Sequence, residues 1–451
     1  MEVDDRWYVH NGMSGAVRSM SRSEREALDA LVSGSAATGL SQDFLADLTL
    51  GRIVVAGGHD ERDVLEARYR ASRDDASILG LTIVTSLGCN FDCPYCFEAK
   101  HPSIIDLDVE RSILAAVDRQ IDSLSQLSVT WFGGEPLVGK RPLFSLSDAF
   151  IERCDANDVD YTASIITNGY LLDADMCREL AARRVRSAQI GLDGPPDVHD
   201  RYRPLASGGA TFGRIVENLH HAADHFDVAL RVNLDRSNAP RAVELLDILE
   251  QEGLRGRVSV YVANLVGSTV DGIGPNADYA TPLMSKREFA QVELEFKREL
   301  VVRGFARPHL VSPKGTACTA VRRNSMVIGS AGELYKCWDS VGDPAEVTGH
   351  IDDHANTNSK IRRWLDYDPF ADAECRECIA LPVCMGGCAH HAFDEALRPD
   401  RCGTFRETNR EQVLDLIAAM SGRPTLPRRI TGETPVQLGA TRRSASLELT
   451  R

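Results

Sequence analysis

No apolar run in this 451-residue chain approaches the roughly 20 residues that span a bilayer. The opening "MEVDDRWYVH" has neither the basic start nor the apolar core of a secretory signal. Together these absences argue against a membrane-spanning or exported protein and place the chain in the cytoplasm. Positive charge is also scarce: 51 Lys and Arg against 66 Asp and Glu leave a net charge of -15. An acidic surface repels a phosphate backbone, which excludes nucleic acid as the main partner. No internal repeat appears beyond an alternation of strands and helices. What the chain does have is length, a 43% hydrophobic fraction that can bury a sizeable core, and twelve cysteines. The length allows about two to four domains. In a reducing compartment, cysteines bind metal or do chemistry rather than form disulfides, and ten of the twelve fall in two groups.

Four segments follow from the pattern. Residues 1–78 mix short apolar runs such as "LGRIVVAG" with charged helical ones, "SRSEREALDALV" and "DERDVLEARYRAS", and read as a small α+β domain. Ser21 or Ser23 can cap the first helix, with a glutamate shortly after. Residues 79–305 carry six β-branched runs, "GLTIVTS", "LSVTWFGG", "TASIITNG", "AQIGLDG", "VALRVNLD" and "VSVYVAN", separated by amphipathic helical stretches. That rhythm predicts a parallel sheet with crossover helices, either an open doubly wound sheet or a partial (β/α) barrel. Such folds put their active sites at the C-terminal ends of the strands. Residues 306–420 contain a cysteine-rich stretch, 318–402, with little periodicity, and a closing helix around 407–420. So little apolar surface would need bound metal to fold. The tail, 421–451, is basic, rich in Ser, Thr and Pro, and expected to be disordered.

The stretch "CNFDCPYCFE" places Cys89, Cys93 and Cys96 directly after the first strand of the repeat. Three thiolates are one short of a closed zinc site or an ordinary iron–sulfur cluster. A zinc knuckle would need a fourth ligand nearby, and the closest downstream candidate is His101. A cubane cluster held by three cysteines instead leaves one iron open to a small molecule. Polar glycine turns close the next strands: Gly133-Gly134-Glu135, Thr167-Asn168-Gly169 and Leu192-Asp193-Gly194. In isolation these are turn signals, although Gly133 and Gly134 also let the backbone approach a ligand closely and Glu135 offers an acceptor.

On these residues the chain resembles the radical S-adenosylmethionine (radical SAM) enzymes, whose hallmark is Cys-x3-Cys-x-aromatic-Cys after the first barrel strand. Cys89, Cys93, Tyr95 and Cys96 match it. The resemblance implies a partial (β/α)6 barrel, and a 4Fe–4S cluster whose open iron chelates S-adenosylmethionine. One-electron cleavage of that cofactor would release a 5′-deoxyadenosyl radical, with the electron supplied by a donor such as flavodoxin or ferredoxin. It further implies that Tyr95, Gly134, Glu135, Asn168, Asp193 and Arg203 line the cofactor. Relatives often carry a serine just before Leu-Asp-Gly, where this chain has Gly191. Arg231, Asn233 and Asn238 after the fifth strand receive no role.

Seven further cysteines, Cys318, Cys337, Cys375, Cys378, Cys384, Cys388 and Cys402, resemble the SPASM extension behind many peptide-modifying radical enzymes. The pattern implies two auxiliary 4Fe–4S clusters. Cys375, Cys378, Cys384 and Cys402 would hold the outer one, and Cys318, Cys337 and Cys388 the inner one, which then lacks a fourth thiolate. His390 and His391 read as helix-surface residues, and Cys154 and Cys177 as small buried hydrophobes. The first 78 residues resemble leader-reading modules that add a peptide as an extra strand. The expected function is oxidative cross-linking of a ribosomally made precursor peptide. Formation of formylglycine in sulfatases is the alternative enzyme reading, and an iron–sulfur electron-transfer or scaffold protein the alternative of another class. No catalytic base is identified.

Overall fold

The computed structural model describes residues 1–3, 6–34, 39–58, 60–98, 101–266, 283–353 and 358–421. The tail expected to be disordered lies, but for Ser421, outside the described residues. Contacts divide the chain into two units. One comprises Met1–Arg73, Pro308–Ala317 and the chain from Asp368 onward, the other Asp74–Arg307 and Cys318–Tyr367.

The first unit opens with an antiparallel sheet of β1 (Glu2–Val3), β2 (Arg6–His10) and β3 (Val17–Met20) in that order. The helix Arg22–Val32 starts where the sequence suggested. Ser21 Oγ accepts the Glu24 amide at 3.2 Å, and Glu24 accepts the Ser21 amide at 2.7 Å, a reciprocal cap that satisfies two otherwise orphaned donors. Met20, Leu28, Phe44 and Leu48 form the small core beneath. The helix Glu61–Asp74 turns Leu65 and Tyr69 onto Phe370, Cys375, Leu381 and Met385. The rings of Tyr69 and Phe370 stand 5.8 Å apart. The N-terminal segment and the C-terminal cysteine segment therefore share a core.

In the second unit β4 (Ile78–Ser86), β5 (Gln126–Gly133), β6 (Asp160–Thr167), β7 (Val185–Gly191), β8 (Asp227–Leu234) and β9 (Val258–Asn264) lie parallel and side by side in chain order. All six expected strands are present. Helices such as Leu107–Asp118, Ala174–Ala182 and Phe212–His225 make the crossovers. Near-continuous burial of β4 is what a parallel strand covered on both faces requires. Trp131, Phe150, Ile165 and Leu230 are among the fully buried side chains of this core, and Cys154 and Cys177 are buried within it as expected.

Three further strands extend the sheet: β10 (Ser325–Ile328), β11 (Glu333–Tyr335) and β12 (Gly349–His350). β10 pairs parallel with β4, and β11 and β12 follow antiparallel, so nine strands run in the order β12-β11-β10-β4-β5-β6-β7-β8-β9. Among the described residues the sheet does not close on itself. These strands sit in the stretch that showed little periodicity, because two to four residues are too few to display an alternation.

Candidate active site

The three-cysteine loop leaves β4 at the C-terminal edge of the parallel strands. Cys93 is buried, and Cys89 and Cys96 are half-buried. The Gly-Gly-Glu turn after β5 fastens the start of this loop: the Gly134 amide donates to Ser86 O and the Glu135 amide to Gly88 O, both at 3.0 Å. No side chain fits between them. A Cβ on Gly134 would stand 2.7 Å from Leu87 O and 2.9 Å from Gly88 O, and one on Gly133, whose φ is +133°, would stand 2.2 Å from Ser86 O. Both glycines are there for close approach, as the sequence suggested for a ligand, but the partner seen here is the backbone leading into Cys89.

Glu135 is fully buried. Its carboxylate accepts from Thr167 Oγ1 at 2.7 Å, the Asn168 amide at 2.8 Å and the Leu137 amide at 3.0 Å. Burial raises its pKa, and these donors oppose the rise. The side chain thus ties the end of β5 to that of β6. Asn168 passes the connection on, its side-chain Nδ2 donating to Asn90 Oδ1 at 2.8 Å and reaching Cys89 Sγ at 3.9 Å.

A second network joins residues far apart in sequence. Tyr95 donates to Asp193 and accepts from Arg203 Nη1 at 2.7 Å. Asp193 is fully buried, 3.7 Å from that guanidinium. Its Oδ1 accepts the amide of Asn233 at 2.9 Å and the Asn233 side chain at 3.2 Å. Burial pushes the Tyr95 phenol well above its usual range. The Asp193 amide donates to His199 Nδ1 at 3.1 Å, so that nitrogen carries no proton, and burial pushes His199 well below its usual pKa. Gly191 explains itself here: a Cβ would lie 2.6 Å from Arg203 Cζ. The space a serine would fill holds the guanidinium, which also stacks over Phe91 with its Cζ 5.8 Å from the ring centre. Asn233 is the residue the sequence reading left without a role. It lies on the face of β8 that carries the more exposed Asp227, Ala229 and Arg231, yet is only 7% exposed, so the alternation along the strand gave no signal for it.

Two buried donors in this region, Asn90 Nδ2 and Arg203 Nε, have no hydrogen-bond partner among the described residues. Asn90, Cys89, Ser86, Gly88, Ser103 and Val138 line a cavity of about 410 Å³. Unmet N–H groups call for acceptors, and S-adenosylmethionine offers a carboxylate, ribose hydroxyls and ring nitrogens. Three thiols in one loop suit a cluster with an open iron. The residues fit both groups.

In the first unit Cys375, Cys378, Cys384 and Cys402, the expected outer set, line one hollow together with Glu374 and Arg406. Burial pushes the Cys375 thiol up to about 12, so a metal core would be needed to hold it as thiolate. Left-handed Met385, Gly386 and Gly387 turn the chain around the hollow. A Cβ on Gly387 would meet Arg401 O at 2.0 Å, and Cys388 donates its amide to that same oxygen at 2.8 Å. His391, expected on a helix surface, is instead buried, its Nδ1 3.3 Å from Asp400 O. Cys318 and Cys337 belong to the other unit. Beside Cys337, Lys336 donates to Arg322 O and Ser325 O, both at 2.6 Å, and burial lowers its ammonium to about 8. Among the described residues no three His, Cys, Asp or Glu side chains crowd one point as a single-ion site requires. No helix among them is long and apolar enough to cross a membrane.

Comparison with known proteins places this geometry. Residues 83–249 match the family model of the Radical SAM superfamily. A serine-type anaerobic sulfatase-maturating enzyme of Klebsiella pneumoniae is 23% identical over 317 residues, covering 67% of this chain and 79% of the relative. Among solved structures, native anSMEcpe with bound AdoMet and the Cp18Cys peptide superposes with a TM-score of 0.55 at 17% identity, over 74% of this chain and 98% of that one. Streptococcus suis SuiB bound to precursor peptide SuiA superposes at 0.52 and 13% identity, over 89% of this chain and 98% of that one.

Proposed function

From the match of residues 83–249 to the Radical SAM superfamily model, we propose that this chain is a radical SAM enzyme that oxidatively cross-links a ribosomally made precursor peptide. The observation that carries the reading is the cysteine loop of residues 89–96, held by the Gly-Gly-Glu turn and bordered by two unmet buried donors. When bound, the cluster and S-adenosylmethionine supply a 5′-deoxyadenosyl radical that takes a hydrogen atom from the substrate. Cys89, Cys93 and Cys96 would hold the cluster. Gly134, Asn168, Tyr95 and Arg203 would border the cofactor, while the buried carboxylates of Glu135 and Asp193 act through the groups they hold in place. Cross-linking removes two hydrogens from the peptide: one leaves as an atom, the other as a proton and an electron. Two auxiliary clusters, one on Cys375, Cys378, Cys384 and Cys402 and one on Cys318, Cys337 and Cys388, would accept that electron before passing it to an external carrier.

SuiB, solved with its precursor peptide, superposes on 89% of this chain, against 74% for anSMEcpe, which supports the precursor-peptide reading. The Klebsiella relative keeps sulfatase maturation as the second reading. Anaerobically reconstituted protein, given S-adenosylmethionine and dithionite, should form 5′-deoxyadenosine; its absence refutes the enzyme reading. Co-expression with the small open reading frame nearest the gene should yield a peptide lighter by two hydrogens. Conversion of a sulfatase-derived peptide to formylglycine, itself a loss of two hydrogens when the residue is serine, with the co-expressed precursor peptide unchanged in mass, would establish the second reading instead.

A further inference from the structure

Two guanidinium groups reach sulfurs of the hollow lined by Cys375, Cys378, Cys384 and Cys402, and Arg406 is itself part of that lining. Arg406 Nη1 lies 3.1 Å from Cys402 Sγ and 2.7 Å from Glu374 Oε1. Arg401 Nη2 lies 3.8 Å from Cys375 Sγ and 3.0 Å from Glu374 Oε2. Each of these nitrogens carries two N–H bonds, so one can serve the carboxylate and the other the sulfur. Glu374 bridges the two arginines, and Asp372 anchors Arg401 further by accepting from Nη1 at 2.8 Å. The arginine side chains are thereby held: that of Arg401 is only 3% exposed and that of Arg406 34%. Neutralising Glu374 and Asp372 accounts for the ion pairs. It does not require a guanidinium nitrogen at hydrogen-bond distance from a sulfur that also faces the hollow.

Building on the cluster assignment above, we propose that Arg401 and Arg406 set the reduction potential of the outer auxiliary cluster by donating to two of its four thiolates. Reduction adds one electron, and so one negative charge, to a cluster already anionic with four thiolates. N–H donors and fixed positive charge favour the reduced form more than the oxidised one. The potential is therefore raised, and this cluster is the readier acceptor of the electron left by bond formation. Arg406, with the shorter contact, carries the larger share.

The test is a potentiometric titration followed by electron paramagnetic resonance, on the full chain with Cys89, Cys93 and Cys96 replaced by alanine so that only auxiliary clusters are reduced. Arg406→Met should shift the one-electron equilibrium of one cluster at least tenfold toward the oxidised form, about 59 mV. Arg406→Gln, which keeps a neutral donor, should shift it in the same direction by less, and carries the test should the methionine variant lose its cluster. Unchanged midpoints with iron retained would overturn the proposal while leaving the cluster assignment standing. That assignment fails separately if Cys384→Ala loses no iron.

Discussion

Gly134→Ala adds one methyl group where the chain has no room. Its Cβ would stand 2.7 Å from Leu87 O and 2.9 Å from Gly88 O, where ordinary contact begins at 3.4 Å. Those atoms are backbone, so relief requires the end of β4 to retreat by a few tenths of an ångström or more. The residue is not among those in the left-handed region, so the strain is steric rather than conformational. The retreat loosens the two 3.0 Å amide bonds that fasten residues 86 and 88. At about 0.5–1.5 kcal/mol each, their loss lowers stability by about 1–3 kcal/mol. Cys89 follows Gly88 directly, so the shift passes into the cluster loop. A displacement approaching 1 Å at a reacting centre costs on the order of 100-fold in rate. We expect 5′-deoxyadenosine formation to fall roughly 10- to 100-fold, with iron retained and a lower urea midpoint. Gly213→Ala is the matched control: nothing lies within 4 Å of its added Cβ, and on a helix it should be neutral or stabilising by up to about 1 kcal/mol. A Gly134→Ala protein with wild-type midpoint and wild-type 5′-deoxyadenosine formation would refute the reasoning.

Gly191→Ser should drive the Arg203 guanidinium off Tyr95, weakening S-adenosylmethionine binding in calorimetry by roughly tenfold, the value of one charge-assisted hydrogen bond; an unchanged affinity counts against the role given to Arg203. Asn233→Ala removes the side-chain donor to Asp193 while the backbone amide at 233 remains, and should destabilise the protein by about 1–3 kcal/mol in urea, while Asn264→Ala, on the next strand, should cost less. His199 is held neutral in the fold, with a pKa well below 6.5. As pH falls below that value the unfolded chain takes up a proton the folded one refuses, so stability drops by up to about 1.4 kcal/mol per pH unit until the folded pKa is reached. His199→Gln should remove this slope between pH 7.5 and 5.5, and parallel urea midpoints for the two proteins would contradict it.

The strand–helix rhythm was legible because long β-branched runs bounded by glycine turns state both their period and their ends. The cysteine motif was legible because its spacing is local. The structure adds what distance in sequence hides. Tyr95, Asp193, Arg203 and Asn233 span 138 residues and become one network only when β4, β7 and β8 share a sheet edge. No spacing rule could have shown that Gly191 is small to admit a guanidinium. The strands β10 to β12 stayed invisible because each is too short to show alternation, and they exist through the partners they find, beginning with β4. The first 73 residues likewise read as a body of their own until Leu65 and Tyr69 meet Phe370 and Met385.

By itself the sequence determined the chemistry available: three thiols in one loop, seven more downstream, and a parallel α/β scaffold to present them. These depend on residue identity and on spacing within one loop or one strand, which the covalent chain holds directly. Tertiary structure alone decided that Glu135 and Asp193 brace the strand ends, why the glycines must be glycines, and that Arg401 and Arg406 point at sulfur. Those outcomes depend on burial and on contacts between segments far apart in the chain, and burial is a property of the packed molecule, not of any residue in it.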